Sequence, residues 1–344
     1  MRTAIILVTF NGWDMTRNCL KDLSTAMGDA AHFVVAVADN ASTDGTPQKI
    51  RAEFPAVHLY ESQKNLGFGA ANNAAIEGLI RDGEPFDAIC LLNNDTRLSA
   101  DTVSKLRQAL ESSRALSKDR HRFYPVVVPA VKNPDGSEQC NYFAGLGPDG
   151  IGYLPFFANA FRNESGAAAI LQGTPRPTPL KGFEEVHWAS GVCWMFDREL
   201  YNVLCSEKDT SADSATAQGQ TPRDTAANGT FFDETIFMYY EDGDLALRAR
   251  QTGARFFICN DIALTHLGGG SAQSNTSRAL QHDRSQQYVF QKHFGLRGLL
   301  LSKSFRVCRS LVRIAASLPR CIKGSAKKRA YVKHHWTLLK AALW

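Results

Sequence analysis

Four polar stretches carry side chains able to do chemistry. They are Asn93-Asn94-Asp95 behind the apolar run Ala88–Leu92, Glu241-Asp242 with Asp244, Asp39-Asn40, and Thr265-His266. A hard divalent ion takes carboxylate oxygen readily, and imidazole suits manganese better than magnesium or calcium. Asp95 and His266 could therefore supply two ligands to one ion, with phosphate oxygens and water completing the shell. The triplet holds a single acid, so the ion would arrive with a diphosphate. The other acids follow the aromatics Phe237, Tyr239 and Tyr240. One acid of three is expected to cap a helix electrostatically. Three exceed what capping requires, and a carboxylate against apolar walls can gain basicity and serve as a general base.

These residues need elements to position them. Residues 4–9 (AIILVT) form an unbroken apolar run ending at Asn11-Gly12, the pattern of a strand buried on both faces of a parallel sheet. A helix is expected over 15–26 and a second strand over 32–38, ending in Asp39-Asn40-Ala41-Ser42. A helix over 46–54, a strand over 57–61, a helix over 69–80 and the strand before Asn93 follow. This alternation is that of βαβ units. Ligands of an open parallel sheet bind beyond the carboxyl ends of its strands, so Asn11, Asp39, Asn40 and Asp95 are expected along one edge. Any one of them alone would read as a cap or turn residue; three strands ending alike favour a shared ligand. Further on, 185–196 reads as a strand and turn around Ser190-Gly191, and 255–264 as a strand leading to His266. Residues 206–230 contain almost nothing that packs and read as a mobile surface insertion. Asn65-Leu-Gly-Phe-Gly-Ala-Ala-Asn72 resembles a dinucleotide fingerprint only superficially, because Asn72 occupies the third glycine position.

The 344 residues suffice for a large domain with a real core, and 44% apolar with 21% charged residues excludes disorder of the whole chain. Eight scattered cysteines without a CxxC pair fit reduced, buried thiols rather than a disulfide framework or zinc site, which points to a cytoplasmic protein. The N-terminus, MRTAIILVTFNGWD, is too short in apolar residues for a signal-peptide core, and no run is long enough to span a membrane.

Taken in order, the motifs resemble an inverting family-2 glycosyltransferase of GT-A fold, and especially its rhamnosyltransferase-like branch. They are Val8-Thr9-Phe10-Asn11, Asp39-Asn40-Ala41-Ser42-Thr43-Asp44-Gly45, Asn65-Leu66-Gly67-Phe68-Gly69 with Asn72, and Leu92-Asn93-Asn94-Asp95. Ser190-Gly191, Asp233-Glu234 with Phe237, Glu241-Asp242 with Asp244 and Arg248, and Thr265-His266 complete the series, over residues 3 to about 270. The resemblance implies an α/β fold with a Rossmann-like, mostly parallel sheet flanked by helices, and a basic helical C-terminal tail. The enzyme domain would be 1–295 and the tail 296–344. The resemblance assigns donor binding to Thr9, Asn11, Asp39, Asn40, Asn65, Gly67, Asn72 and Asn94, and the acceptor side to Ser190, Gly191 and Glu241. Asp242 would be the catalytic base, with Asp95 and His266 ligating Mn2+ or Mg2+. The implied reaction is a single displacement from a nucleotide-diphospho-sugar to a lipid-linked or surface glycan. The branch points to dTDP-rhamnose, with a UDP-sugar as the alternative donor and a non-catalytic nucleotide-sugar or glycan-binding module as the alternative function. Asn93 stands where many relatives carry the first acid of a DxD motif, and Gly243 where many carry an apolar residue.

The tail differs in charge from the rest. Residues 296–344 hold twelve Lys/Arg and no acid, leaving 27 basic against 34 acidic residues in 1–295. Leu301, Phe305, Cys308 and Val312 recur at helical spacing with Arg306, Arg309 and Arg313 close behind each. Such a helix fits an anionic membrane surface, on the inner face of the cytoplasmic membrane. The alternative is a helix packed on the body with its arginines solvated or paired to the body's surplus acids. Nothing else in the sequence supports a nucleic-acid partner.

Overall fold

The apolar run 4–9 does become an interior strand. A computed structural model of the protein describes residues 1–26, 30–119, 123–143, 183–206, 229–268, 275–322 and 326–343. Strand β1 (Thr3–Thr9) lies between β2 (Phe33–Asp39) and β4 (Ala88–Leu92), parallel to both, and β3 (His58–Glu61) extends the sheet beyond β2. Side chains alternate across a strand, so β1 feeds two cores. Ala4 and Ile6 face one side with Ala36, Ala38, Leu91 and helix α3 (Phe68–Arg81). Ile5 and Leu7 face the other with Val35, Val37, Cys90, helix α1 (Trp13–Ala26) and helix α4 (Thr102–Asp119); helix α2 (Thr46–Glu53) joins β2 to β3. Each fully buried Ile or Leu contributes roughly 1.5–3 kcal/mol. A run without polar alternation is therefore stable only where helices cover both faces.

The expected α/β class holds, and the sheet is parallel through β3-β2-β1-β4. Beyond β4 it becomes mixed. Strand β11 (Cys193–Asp197) inserts antiparallel between β4 and β6 (Tyr124–Lys132), and β6 runs parallel to β12 (Ala254–His266). The short strands β5 (Thr96–Leu98) and β9 (Phe183–Val186) pair antiparallel with β12, and β7 (Glu138–Gln139) with β6. Strands β8 (Tyr142–Phe143) and β10 (Trp188–Ala189) form a separate two-stranded pair. Helices α5 (Arg198–Ser206) and α6 (Glu241–Gln251) add Leu200, Leu204, Leu245 and Ala249 to the first core. Of the expected insertion 206–230, only the ends Ser206, Gly229 and Thr230 are described; 207–228 lie outside the described residues. The seven described cysteines are free thiols; four are buried and Cys308 is exposed.

The chain divides into two compact units. One is drawn from Met1–Phe143, Pro175–Phe237 and Glu241–Gly270, the other from Ala144–Thr174, Met238–Tyr240 and Ser271–Trp344. The second unit contains helix α7 (Asn275–Ile322) and helix α8 (Ala326–Leu343). Helix α7 breaks at Gly295, whose φ of 58° and ψ of −148° suit only glycine comfortably.

The packing of α7 corrects the expected apolar stripe. Phe305 is buried, but Cys308 and Val312 are exposed. The buried side carries Ser302, Arg306, Ser310 and Ser317, with Arg306 only 2% exposed. Arg309 donates to both oxygens of Asp283 at 3.0 and 2.8 Å, and Arg306 to the Asp283 carbonyl at 3.0 Å and to Gln287 at 2.6 Å. A paired guanidinium tolerates burial that an unpaired one does not. Two of the arginines are thus internal struts. Burial opposes the charge on Asp283, yet His282 and Arg309 beside it hold its carboxyl below the usual carboxylate range.

Candidate active site

The carboxyl ends of β1, β2 and β4 gather the polar residues expected there. Thr9 ends β1, fully buried, and its hydroxyl lies 2.8 Å from that of Thr16. Asn94 donates to Thr16 at 2.9 Å and to Thr9 at 3.4 Å, which joins the β4 exit to the β1–α1 turn. Asn11 has a left-handed φ of 49°, and its side-chain carbonyl accepts the Thr43 amide at 2.7 Å. Ala41 is also left-handed, at φ 64°. Strained backbone of this kind persists where surrounding structure over-determines it, often at binding sites.

Asp39 accepts the Ser42 amide on Oδ2 at 2.8 Å, while its buried Oδ1 has no hydrogen-bond partner. A buried carboxylate oxygen without a donor is costly, which leaves Asp39 Oδ1 able to accept a further hydrogen bond. Asn40 is differently used: its amide donates to the Gly67 carbonyl at 2.9 Å, and its carbonyl accepts the Leu66 amide at 3.1 Å. Asn65 caps the same loop by accepting the Gly67 amide at 3.0 Å, and Asn72 donates to the Phe68 carbonyl at 2.9 Å. Asn40, Asn65 and Asn72 therefore shape the loop, and Gly67 lets it pass close to Phe237. A Cβ on Gly67 would stand 2.0 Å from the Phe237 carbonyl oxygen, and its φ is 88°.

Asp95 and His266 come together although 171 positions separate them in the chain. Strand β12 runs antiparallel to β5 with His266 opposite Thr96, and the Leu267 amide donates to the Asp95 carbonyl at 2.9 Å. His266 Nε2 lies 3.3 Å from Asp95 Oδ1, and Nδ1 lies 3.2 Å from Gln139 Oε1. A ring whose Nδ1–H donates to Gln139 would leave Nε2 and Asp95 Oδ1 as two acceptors that a cation between them satisfies. The donor set fits a divalent ion that brings further ligands with it. Among the described residues no cluster of three or more His, Cys, Asp or Glu forms. Gln139 escapes sequence reasoning because it sits in a two-residue strand without any pattern of its own.

The opposite wall comes from β11 and α6. The Asn93 amide donates to the Val192 carbonyl at 2.9 Å, which sets Ser190-Gly191 beside the Asn93–Asp95 triplet. The Ser190 amide donates to the Asn141 carbonyl at 2.7 Å, and its own carbonyl accepts Trp194 Nε1 at 2.8 Å. Gly191 donates its amide to Asp242 Oδ2 at 2.9 Å, and Gly243 donates to Oδ1 at 2.8 Å. Asp242 is thereby held at both oxygens in the first turn of α6. Asp244 is fully buried and accepts Arg248 Nε at 2.9 Å; it braces the helix.

Glu241 is buried, with no hydrogen-bond partner for Oε2. Burial, reinforced by the Asp242 charge, pushes its carboxyl up to about 8. It is therefore a neutral acid at pH 7, beside the carboxylate expected to serve as base. Tyr239 and Tyr240, just before it, have left-handed φ values of 66° and 64°. The turn into α6 is held in a conformation its residue types disfavour.

Residues 4–204 match the family model described as glycosyl transferase family 2. The chain belongs to glycosyl transferase family 2. It is a glycosyltransferase, as the motif series implied. This transferase is 26% identical over 336 residues to the N-acetylglucosaminyl-diphospho-decaprenol L-rhamnosyltransferase of Mycobacterium tuberculosis, covering 90% of this chain and 94% of that one. Among solved structures, it aligns with a mannosyltransferase from Pyrobaculum calidifontis in complex with GDP-Man and Mn2+ (15% identity, TM-score 0.49, 99% of this chain and 86% of that one). It also aligns with S. aureus TarS 1-349 in complex with UDP-GlcNAc (14% identity, TM-score 0.47, 99% and 82%).

Proposed function

We propose that this family-2 transferase is an inverting, metal-dependent rhamnosyltransferase that moves rhamnose from dTDP-rhamnose to a lipid-linked, diphosphate-bearing acceptor. The mycobacterial relative is named an L-rhamnosyltransferase of N-acetylglucosaminyl-diphospho-decaprenol and matches along nearly the whole chain. The observation that carries the mechanism is Asp242, one carboxylate held at both oxygens by Gly191 and Gly243. A single displacement requires one base, whereas a double displacement needs a second carboxylate as nucleophile. Glu241, kept neutral by burial, does not compete for that role.

Asp242 accepts the proton of the acceptor hydroxyl as its oxygen bonds to the anomeric carbon. The bond from that carbon to the diphosphate oxygen breaks, with inversion, and the nucleoside diphosphate leaves. Asp95 and His266 are the residues that would hold Mn2+ or Mg2+, which when bound neutralises charge on the departing diphosphate. Asp39, through its unpartnered Oδ1, and the Asn11–Thr43 turn bind the base and ribose of the donor, with Thr9 and Asn94 beside them. Ser190, Gly191 and Glu241 face the acceptor. Residues 1–295 carry the transfer, and the basic residues 296–344 keep the enzyme peripheral on the cytoplasmic face of an anionic membrane, where its acceptor is embedded. Among the described residues no helix is long and apolar enough to cross a membrane.

The deciding experiment supplies dTDP-rhamnose, UDP-glucose and UDP-N-acetylglucosamine in turn, with Mn2+ and an N-acetylglucosaminyl-diphospho-polyprenol. The lipid product is then weighed by mass spectrometry. A mass gain of one deoxyhexose, absent with Asp242→Asn, is the expected result. Transfer from a UDP-sugar alone would replace the donor, and donor binding without transfer would favour a binding module.

A further inference from the structure

The second half of helix α7 exposes large apolar side chains while burying polar ones. Past Gly295, the buried side mixes Ser302, Arg306, Ser310 and Ser317 with Phe305 and Ile314, while the exposed side presents Leu296 (68% exposed), Leu300 (55%), Leu311 (48%) and Val312. Ser304, Cys308, Ala315 and Ala316 are exposed with them. Positions 296, 300, 304, 308, 311 and 315 follow one another at intervals of four or three, so they form a continuous stripe. Arg297 is the one charged residue on that stripe. A helix meant for water places its polar residues outward; this one turns Arg306 inward, bonded to the Asp283 carbonyl and to Gln287, and Ser302, bonded to Gln286. In the same unit, helix α8 exposes Trp336 (50%) on a face shared with Arg329, Lys333 and Lys340.

We propose that the outward stripe Leu296–Leu300–Cys308–Leu311–Val312 inserts into the headgroup–acyl boundary of an anionic bilayer, with Trp336 and the α8 lysines at headgroup level. This rests on the membrane reading above and replaces its contact surface. The stripe legible in the sequence uses Phe305, which is internal. The occupant is chosen by charge. Residues 296–344 carry twelve Lys/Arg without an acid, so a second copy docking through the same face would bring like charges together, whereas anionic headgroups complement them. A Trp flanked by cations is interfacial chemistry, and an apolar stripe on a helix that does not span is the pattern of one lying in the membrane plane.

The test is sedimentation of the full chain with phosphatidylglycerol/phosphatidylcholine vesicles and with phosphatidylcholine alone, without donor or acceptor, so it is independent of the sugar transferred. Leu300→Ser/Leu311→Ser alters only exposed side chains and should leave the melting temperature unchanged while lowering the partition coefficient at least tenfold. Lys333→Gln/Lys340→Gln should weaken binding severalfold and flatten its salt dependence. Undiminished binding by the leucine variant would overturn the inserted stripe alone. Failure of the wild type to bind anionic vesicles would overturn both this and the membrane reading, leaving the transferase reading intact. A wild-type dimer in solution that the leucine variant dissolves would assign the stripe to self-association instead.

Discussion

The amide of Gly191 and the carboxylate of Asp242 meet at 2.9 Å, and a Cβ on Gly191 would lie 3.2 Å from the Asp242 Cβ. The strand turn that carries Ser190-Gly191 therefore sets the position of the base. Gly191→Ala forces the carboxylate aside by a few tenths of an ångström. Such displacements cost up to about 100-fold per ångström in a preorganised site, so kcat should fall about tenfold with the donor KM nearly unchanged. Asp242→Asn should lower kcat by roughly 10²–10⁴-fold and leave donor binding intact. Steady-state kinetics with donor titration separates these two effects.

Gln139 orients His266 through Nδ1. A partner of this kind typically contributes 10–100-fold in metal affinity. Gln139→Leu should raise the Mn2+ concentration for half-maximal activity by about that factor, and His266→Ala by more. Titration of Mn2+ binding by calorimetry in the presence of the nucleoside diphosphate gives a readout besides turnover. A chelator should silence the wild type, and full activity in its presence would remove the metal.

Glu241 predicts a pH dependence with a defined sign. Its folded value of about 8 lies above the ordinary glutamate value of 4.5, so the folded state holds the proton more tightly than the unfolded chain. The contribution of Glu241 to stability is then fully present below about 4.5 and is lost as pH rises toward 8, because the unfolded chain releases the proton that the folded state must keep. Glu241→Gln should remove this decline. Thermal unfolding of both proteins from pH 5 to 9 should show the variant gaining on the wild type with rising pH. Parallel curves would refute the assignment.

Asp283 neutralises Arg309 and, through its carbonyl, receives Arg306. Removing one partner of a buried pair costs about 3–5 kcal/mol. Asp283→Ala should therefore destabilise the helical unit far more than Arg313→Ala, as denaturant titration would register. Equal losses would place Arg309 outside the internal network.

Much of the first sheet half was legible because its signals are local. An unbroken apolar run such as AIILVT has one stable home, between two helical layers, and the helix over 69–80 appears as Phe68–Arg81 because its small and apolar residues recur at helical spacing. Motif order was legible too, and with it the family and the residue types of the site.

Other features depend on partners distant in the chain. The insertion of β11 antiparallel between β4 and β6 is set by edge pairing, which leaves no periodic trace. Gln139 is chosen by the end of β12, some 127 positions on. Asn40 and Asn72 share their residue type with ligand-binding amides, yet the fold commits their hydrogen bonds to the loop. In α7, spacing suggested an apolar stripe of Leu301, Phe305, Cys308 and Val312 for a membrane surface. The fold buries Phe305 instead, and Asp283 and Gln287 supply hydrogen bonds that make burying Arg306 and Arg309 tolerable. The sequence by itself determined the alternating strands and helices of the first sheet half and the order of the motifs that mark the family, since these depend on neighbours along the chain. The tertiary structure alone decided which carboxylate is latched, that Asp95 and Gln139 flank the His266 ring and which face of α7 meets the surroundings, since each is settled by a contact between residues far apart.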